Sequence, residues 1–189
     1  YSITADTKKL LILGDSISAG YGLKESENWV QLLETSLNAS STELKIINSS
    51  ISGDTTIGGL SRIENDLKQY RPNYVLVELG GNDALRGYPI DKIKHNLIKI
   101  IDVSLEAGAY PIIMQIRIPP NYGKNYIVAF ESIYSEIAQE KSIPKIIPLI
   151  VAKKPIVSPV RKKVFFIDLL FKPKVFKIAI SFVLFFIRM

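Results

Sequence analysis

The stretch Leu10–Gly22, LLILGDSISAGYG, holds the residues best placed for chemistry. Leu10–Leu13 form a short apolar run with the look of a buried strand. Gly14-Asp15-Ser16 breaks that run, and a helix-compatible segment follows. The Ser16 hydroxyl is thereby expected at a strand-to-helix turn, beside backbone N–H groups that a helix start leaves unpaired. Such a position favours developing negative charge, which an attacking serine and its oxyanion both need. Taken alone, Ser16 also reads as a helix N-cap. A nucleophilic serine needs a base, and the chain has one histidine, His95. His95 lies in a helical pattern, Ile90–Leu105, whose apolar stripe is Ile90, Ile93, Leu97, Ile100 and Ile101. Two residues beyond Ile93, it falls about 200° round the helix. That is the face of Lys92 and Lys99, where a histidine is solvated rather than catalytic.

The elements that must position Ser16 are readable from apolar periodicity. Strand candidates are Leu10–Leu13, Leu44–Ile47, Tyr74–Leu79 and Tyr110–Ile116. The last three are nearly continuous apolar runs, as strands covered on both faces are. Helix candidates Trp29–Leu37, Ile57–Tyr70, Ile90–Leu105 and Tyr126–Lys141 alternate with them. This alternation predicts an α/β fold: a three-layer α/β/α (flavodoxin-like) domain with a central parallel sheet. Right-handed crossovers gather the loops after the strands on one edge of such a sheet. Ser16, Gly53 and Asn82 all fall in these loops. Singly, Gly53 reads as a turn glycine and Asn82-Asp83 as a helix cap; three such loops on one edge make a site. A flavodoxin-like phosphate-binding module is the competing reading. It lacks support, because neither a G-K-[ST] nor a G-x-G-x-x-G pattern follows the first strand.

GDSISAGYG (Gly14–Gly22), SGDTT (Ser52–Thr56) and GGND (Gly80–Asp83) occur in this order. They resemble the first three blocks of the SGNH, or GDSL, hydrolase superfamily. QIRIPPNYG (Gln115–Gly123) is similar to a loop of its bacterial thioesterase I, lysophospholipase and arylesterase branch. The resemblance runs from Leu10 to Ile143. It implies a serine ester or thioester hydrolase acting through an acyl-serine intermediate, with Ser16 as nucleophile. It further implies that the Gly53 N–H, the Asn82 side-chain amide and the Ser16 N–H form the oxyanion hole. Glycine permits close backbone approach to a ligand, and an Asn amide is a neutral donor without a proton equilibrium. Asp15 and Asp83 are expected to support their loops through local hydrogen bonds. The implied substrate is a small-molecule acyl ester or thioester, including lysophospholipids, with Ile116–Pro120 as a candidate acyl groove. The family's fourth block, D-x-x-H, supplies an aspartate and the catalytic histidine. Asp168 is instead followed by Leu169, Leu170 and Phe171, and no histidine follows His95. The alternative is therefore a catalytically inactive, truncated or frameshifted member lacking the Asp–His pair.

Composition narrows the classes further. The chain has 189 residues, 47% of them hydrophobic and 22% charged, as a globular domain has. It has no cysteine, which excludes disulfides and thiolate metal sites, and one histidine leaves little for zinc. No cofactor and no metal are expected. The net charge of +6 is unevenly placed. Residues 1–140 hold 13 Lys and Arg against 17 Asp and Glu, whereas residues 141–189 hold 11 against the single Asp168. A uniform basic face is thus unsupported, and no nucleic-acid partner is expected. Seven of the eight Phe lie in Phe165–Phe186, among Lys, Ile and Val without caps or turn glycines. Local patterning and global fold part company here, so the expected division is 1–143, the hydrolase domain, and 144–189, an aberrant basic and aromatic tail. A shifted reading frame yields such a composition. Ile178–Ile187 is apolar but for Ser181 and too short to cross a bilayer, so no spanning segment is expected. Ser2-Ile3-Thr4-Ala5 reads either as the remnant of a signal-peptide cleavage region or as a trimmed start. The first gives a periplasmic or secreted location.

Overall fold

In the computed structural model the described residues are 7–24, 27–39 and 44–146. Strands β1 (Lys8–Gly14), β2 (Leu44–Asn48), β3 (Tyr74–Glu78), β4 (Tyr110–Met114) and β5 (Lys145–Ile146) form one parallel sheet in the order β2-β1-β3-β4-β5. Leu11 of β1 sits opposite Ile47 of β2 on one side and Val75 of β3 on the other. The helices are α1 (Ser16–Ala19), α2 (Trp29–Ala39), α3 (Thr56–Tyr70), α4 (Gly81–Leu85), α5 (Ile90–Glu106) and α6 (Lys124–Glu140). A 3₁₀ turn, Pro120–Tyr122, precedes α6.

Side-chain alternation along the strands makes the three layers. Leu11 and Leu13 of β1, Val75 and Val77 of β3 and Ile113 of β4 face Ile63 and Leu67 of α3, Leu97 and Ile101 of α5 and Phe130 and Ile137 of α6. Leu10 and Ile12, Leu76, and Ile112 and Met114 turn to the other side, where Trp29, Val30, Leu33 and Leu37 of α2 meet them. Each fully buried side chain of this kind contributes about 1.5–3 kcal/mol. Both faces of β1 are therefore closed, which explains why its sequence is apolar without alternation.

The sequence-based elements are found with their ends shifted by no more than two residues. The strand expected over Tyr110–Ile116 ends at Met114, which pairs with Ile146 at the last register position of β5. Ile116 and Ile118 are buried in the following loop instead. β5 itself falls just past the expected boundary at residue 143, and it is too short to carry a periodic pattern. The remainder of the expected tail, 147–189, lies outside the described residues, as does Ile178–Ile187. Among the described residues, no helix is long and apolar enough to cross a membrane.

Candidate active site

The strand order brings the site together. β1 lies between β2 and β3, so the loops that follow these three strands are neighbours, although they stand far apart in sequence. After β1, the Asp15 side chain caps α1 by accepting from the Ile17 N–H at 2.9 Å. Ser16 is thus the first residue of a short helix. The helix is seated from below by Glu78 at the end of β3. The Ser18 hydroxyl donates to Glu78 Oε2 at 2.7 Å, and the Asp15 N–H donates to the same oxygen at 3.3 Å.

After β2, the chain turns through Gly53 at φ +82°, a left-handed conformation that favours glycine. A Cβ there would meet nothing within 4 Å, so backbone conformation rather than crowding requires the residue. The next residue, Asp54, is clamped by Arg62 of α3 through Nε at 3.0 Å and Nη2 at 2.9 Å. Thr55 then caps α3 by accepting from the Gly58 N–H. After β3, Gly80 takes φ +113°, and its α-carbon is approached so closely that an added Cβ would lie 2.6 Å from the Tyr134 hydroxyl. α4 follows with Asn82 and Asp83.

Asn82 joins all three loops. Its Nδ2 donates to Asp15 Oδ2 at 3.0 Å and to the Asp54 carbonyl at 2.9 Å. Asp83 is buried and accepts from the Thr56 N–H at 2.9 Å and the Thr56 hydroxyl at 2.6 Å. Its support is therefore not local, as expected, but ties α4 to the start of α3. Asp15 combines its local cap with the long-range bond to Asn82. Among the described residues, the Ser16 N–H, the Ser16 hydroxyl and the Gly53 N–H have no protein hydrogen-bond partner. All of this surrounds a cleft of about 320 Å³, whose lining includes Asp15, Ser16, Gly53 and Asn82. Tyr21, Leu85, Ile116, Ile118 and Pro119 make its apolar side, and Arg117 also lines it. The apolar end of the β4 run is cleft wall, which is why periodicity alone misassigned it.

Residues 12–149 match the GDSL-like Lipase/Acylhydrolase family. The chain is a member of that family. It is 46% identical over 137 residues to the arylesterase of Vibrio mimicus, covering 72% of this chain and 68% of that protein. It is also 46% identical over 140 residues to thioesterase 1/protease 1/lysophospholipase L1 of Escherichia coli K12, covering 74% and 65%. The chain thus spans about two thirds of the length of these relatives. Among solved structures, the psychrotrophic esterase EstA of Pseudoalteromonas sp. superposes with a TM-score of 0.73 at 41% identity, covering 77% of this chain and 79% of that one.

Within this GDSL-family fold, two buried carboxyls, Asp15 and Glu78, have raised pKa values. Burial raises the Asp15 pKa to about 6, and the charges of Asp54 and Asp83 push the same way, against the hydrogen bonds from Ile17 and Asn82. Burial, and then the charge of Asp15, raise Glu78 well above the ordinary carboxyl range. Sequence reading missed Glu78, Arg62 and Thr56. Glu78 had a signal, a lone acid closing the apolar run Tyr74–Leu79, since acids are almost never buried without a role. His95 is exposed on α5 and does not line the cleft; Ile93, Leu97, Ile100 and Ile101 are buried on the opposite side, as the stripe implied. Among the described residues, no cluster of His, Asp or Glu could hold a metal ion.

Proposed function

We propose that the cleft hydrolyses a small acyl ester or thioester through an acyl-enzyme on Ser16. The Ser16 oxygen attacks the acyl carbonyl carbon, the alcohol or thiol leaves with a proton, and water then releases the carboxylic acid. The carbonyl oxygen, negative in the tetrahedral intermediate, takes hydrogen bonds from the Ser16 and Gly53 N–H groups and from Asn82 Nδ2, which shares with it an N–H otherwise donated to Asp15 or to the Asp54 carbonyl. The apolar side of the cleft receives the acyl chain, and lysophospholipids belong to the same substrate class. The supporting observation is that Ser16, Gly53 and Asn82 line one cleft, with the Ser16 and Gly53 N–H groups free of protein acceptors among the described residues. A chromogenic ester assay tests the reading: wild type turns over, and Ser16→Ala falls to background. Equal rates would remove Ser16 from the mechanism. A periplasmic or secreted location accompanies this reading.

A second reading is favoured by the unpartnered Ser16 hydroxyl. Ser16 Oγ has no partner among the described residues, and His95 is exposed and off the cleft. In this reading residues 1–143 are the hydrolase domain, and residues 144–189 replace the family's last block, so the member binds acyl ligands without turnover. A fluorophosphonate that labels Ser16 at the rate of an active serine hydrolase excludes it. A D-x-x-H segment encoded in another frame beyond Pro144 supports a shifted frame as its cause.

A further inference from the structure

Among the described residues, eight large apolar side chains are 41–62% exposed. Single exposed apolar side chains are ordinary, and only their concentration carries meaning. Five of the eight, Tyr21, Ile51, Ile57, Leu85 and Tyr88, lie between the ends of β1, β2 and β3 and the first turns of α2, α3 and α5. They stand at the end of the sheet that carries Ser16. Tyr21 and Leu85 line the cleft, and Ile51 directly precedes the lining residues Ser52 and Gly53. The segment Leu85–Pro89 is exposed throughout, yet its backbone is fastened. The Tyr122 hydroxyl donates to the Leu85 carbonyl at 3.0 Å, and the Tyr126 hydroxyl donates to the Tyr88 carbonyl at 2.9 Å. The charges beside this rim are cations. Arg86 is exposed, with Nη2 3.3 Å from the Gly53 carbonyl. Arg117 lines the cleft and meets Glu131 only at 3.9 Å. The acids nearest Ser16 and Asn82 are withdrawn: Asp15 and Asp83 are buried, and Asp54 is paired with Arg62.

We propose that this apolar and cationic rim docks on a lipid surface, from which the cleft takes its acyl substrate. The inference rests on the hydrolase reading and deepens it by naming where the substrate is met; docking itself needs no turnover. The exposed apolar side chains are continuous with the apolar side of the cleft. An acyl chain passing from a lipid layer to Ser16 is thereby kept from water on its way. A folded protein seated on the same rim would cover the mouth of the cleft, whereas a lipid layer supplies what the cleft binds. Tyr21 and Tyr88 suit the boundary of such a layer, where the ring meets acyl chains and the hydroxyl stays wet. Arg86 and Arg117 meet headgroup phosphates, which a guanidinium recognises well. Apolar area and headgroup charge then act together, as they do for elements that lie on a membrane without crossing it.

Co-sedimentation with vesicles of equimolar phosphatidylcholine and phosphatidylglycerol tests this. Wild type and Ser16→Ala should both sediment with the vesicles, because binding without turnover is the quantity read. The triple variant Ile51→Gln, Ile57→Gln, Tyr88→Gln changes no residue that lines the cleft, and its partition should fall by about 10-fold or more. Leu105→Gln with Tyr110→Gln removes exposed apolar groups from the other end of the sheet and should partition as wild type. The chain has no cysteine, so a single introduced thiol carries a label that leaves the rest of the rim intact. Bimane on Ile57→Cys should shift to the blue when vesicles are added, and bimane on Leu105→Cys should not. Failure of wild type and Ser16→Ala to sediment overturns the proposal. So does a triple variant that sediments like wild type at unchanged melting temperature, or an equal shift at the two labels. If the triple variant does not fold, the two labels decide. Concentration-dependent dimerisation that the triple variant abolishes, without vesicle binding, assigns the rim to a second copy of the chain and also overturns it. Vesicle binding with equal ester hydrolysis in wild type and Ser16→Ala upholds docking and defeats the hydrolase reading. Turnover of a soluble ester without vesicle binding does the reverse.

Discussion

Glu78 is 1% exposed, and its Oε1 has no hydrogen-bond partner among the described residues. Desolvation and the neighbouring Asp15 raise its pKa well above the ordinary value, so the folded protein keeps a proton that the unfolded chain releases near pH 4.3. The stability contributed by that proton is complete below the ordinary carboxyl range and is lost as pH rises through the folded pKa. Asp15 acts in the same sense up to about 6. Glu78→Gln removes one of the two raised carboxyls and keeps an oxygen to accept from Ser18. Its melting temperature is expected to match wild type near pH 4 and to exceed it at pH 8. Thermal melts across this interval check the difference, which should grow with pH. A difference that shrinks or reverses with rising pH shows that Glu78 is held as a carboxylate.

At the scale of elements, α3 matters because its first turns carry the loop after β2. Arg62 reaches back from the second turn to Asp54, and also meets Asp66 and the Ser49 hydroxyl at 3.2 and 2.7 Å. These side chains are 10–17% exposed, so the pairs are shielded from water more than surface ion pairs are. Arg62→Met should leave the Asp54 and Asp66 carboxylates without their cation, lower stability by about 1–3 kcal/mol, and slow Ser16 labelling through the Gly53–Asp54 turn. Denaturant unfolding together with labelling kinetics checks both; a destabilised variant that labels at the wild-type rate disconnects the clamp from the cleft. The elements themselves were legible, since 3.6-residue stripes such as Ile93–Leu97–Ile100–Ile101 and apolar strand runs follow from burial on known faces. Ser16, Gly53 and Asn82 were expected in loops on one sheet edge, and all three line the same cleft. The clamps were not. The contacts of Arg62 with Asp54, Asp83 with Thr56 and Asp15 with Asn82 join residues by charge and geometry across 8, 27 and 67 positions, and no periodicity encodes such pairs.

Across the whole molecule, the donors and the alcohol are concentrated at one end of the three adjacent strands, while the one histidine lies on an exposed helix face. Oxyanion donors act on the charge that develops on the acyl oxygen; they do not take the serine proton. Losing the histidine of a serine hydrolase costs up to about 2 × 10⁶ in kcat, whereas donors and binding alone leave about 10³–10⁴ over water. If the donors are in order and only the proton acceptor is wanting, imidazole in solution should supply it. Imidazole is expected to accelerate acylation of Ser16 by an ester or fluorophosphonate by about 10-fold or more, with no acceleration in Ser16→Ala. His95→Gln should change neither the basal nor the imidazole-dependent rate, because that side chain is exposed and does not line the cleft. Acylation rates against imidazole concentration in the three proteins check this. A basal rate already typical of serine hydrolases and insensitive to imidazole would mean that the proton acceptor resides outside the described residues, and a loss of rate in His95→Gln would return α5 to the mechanism.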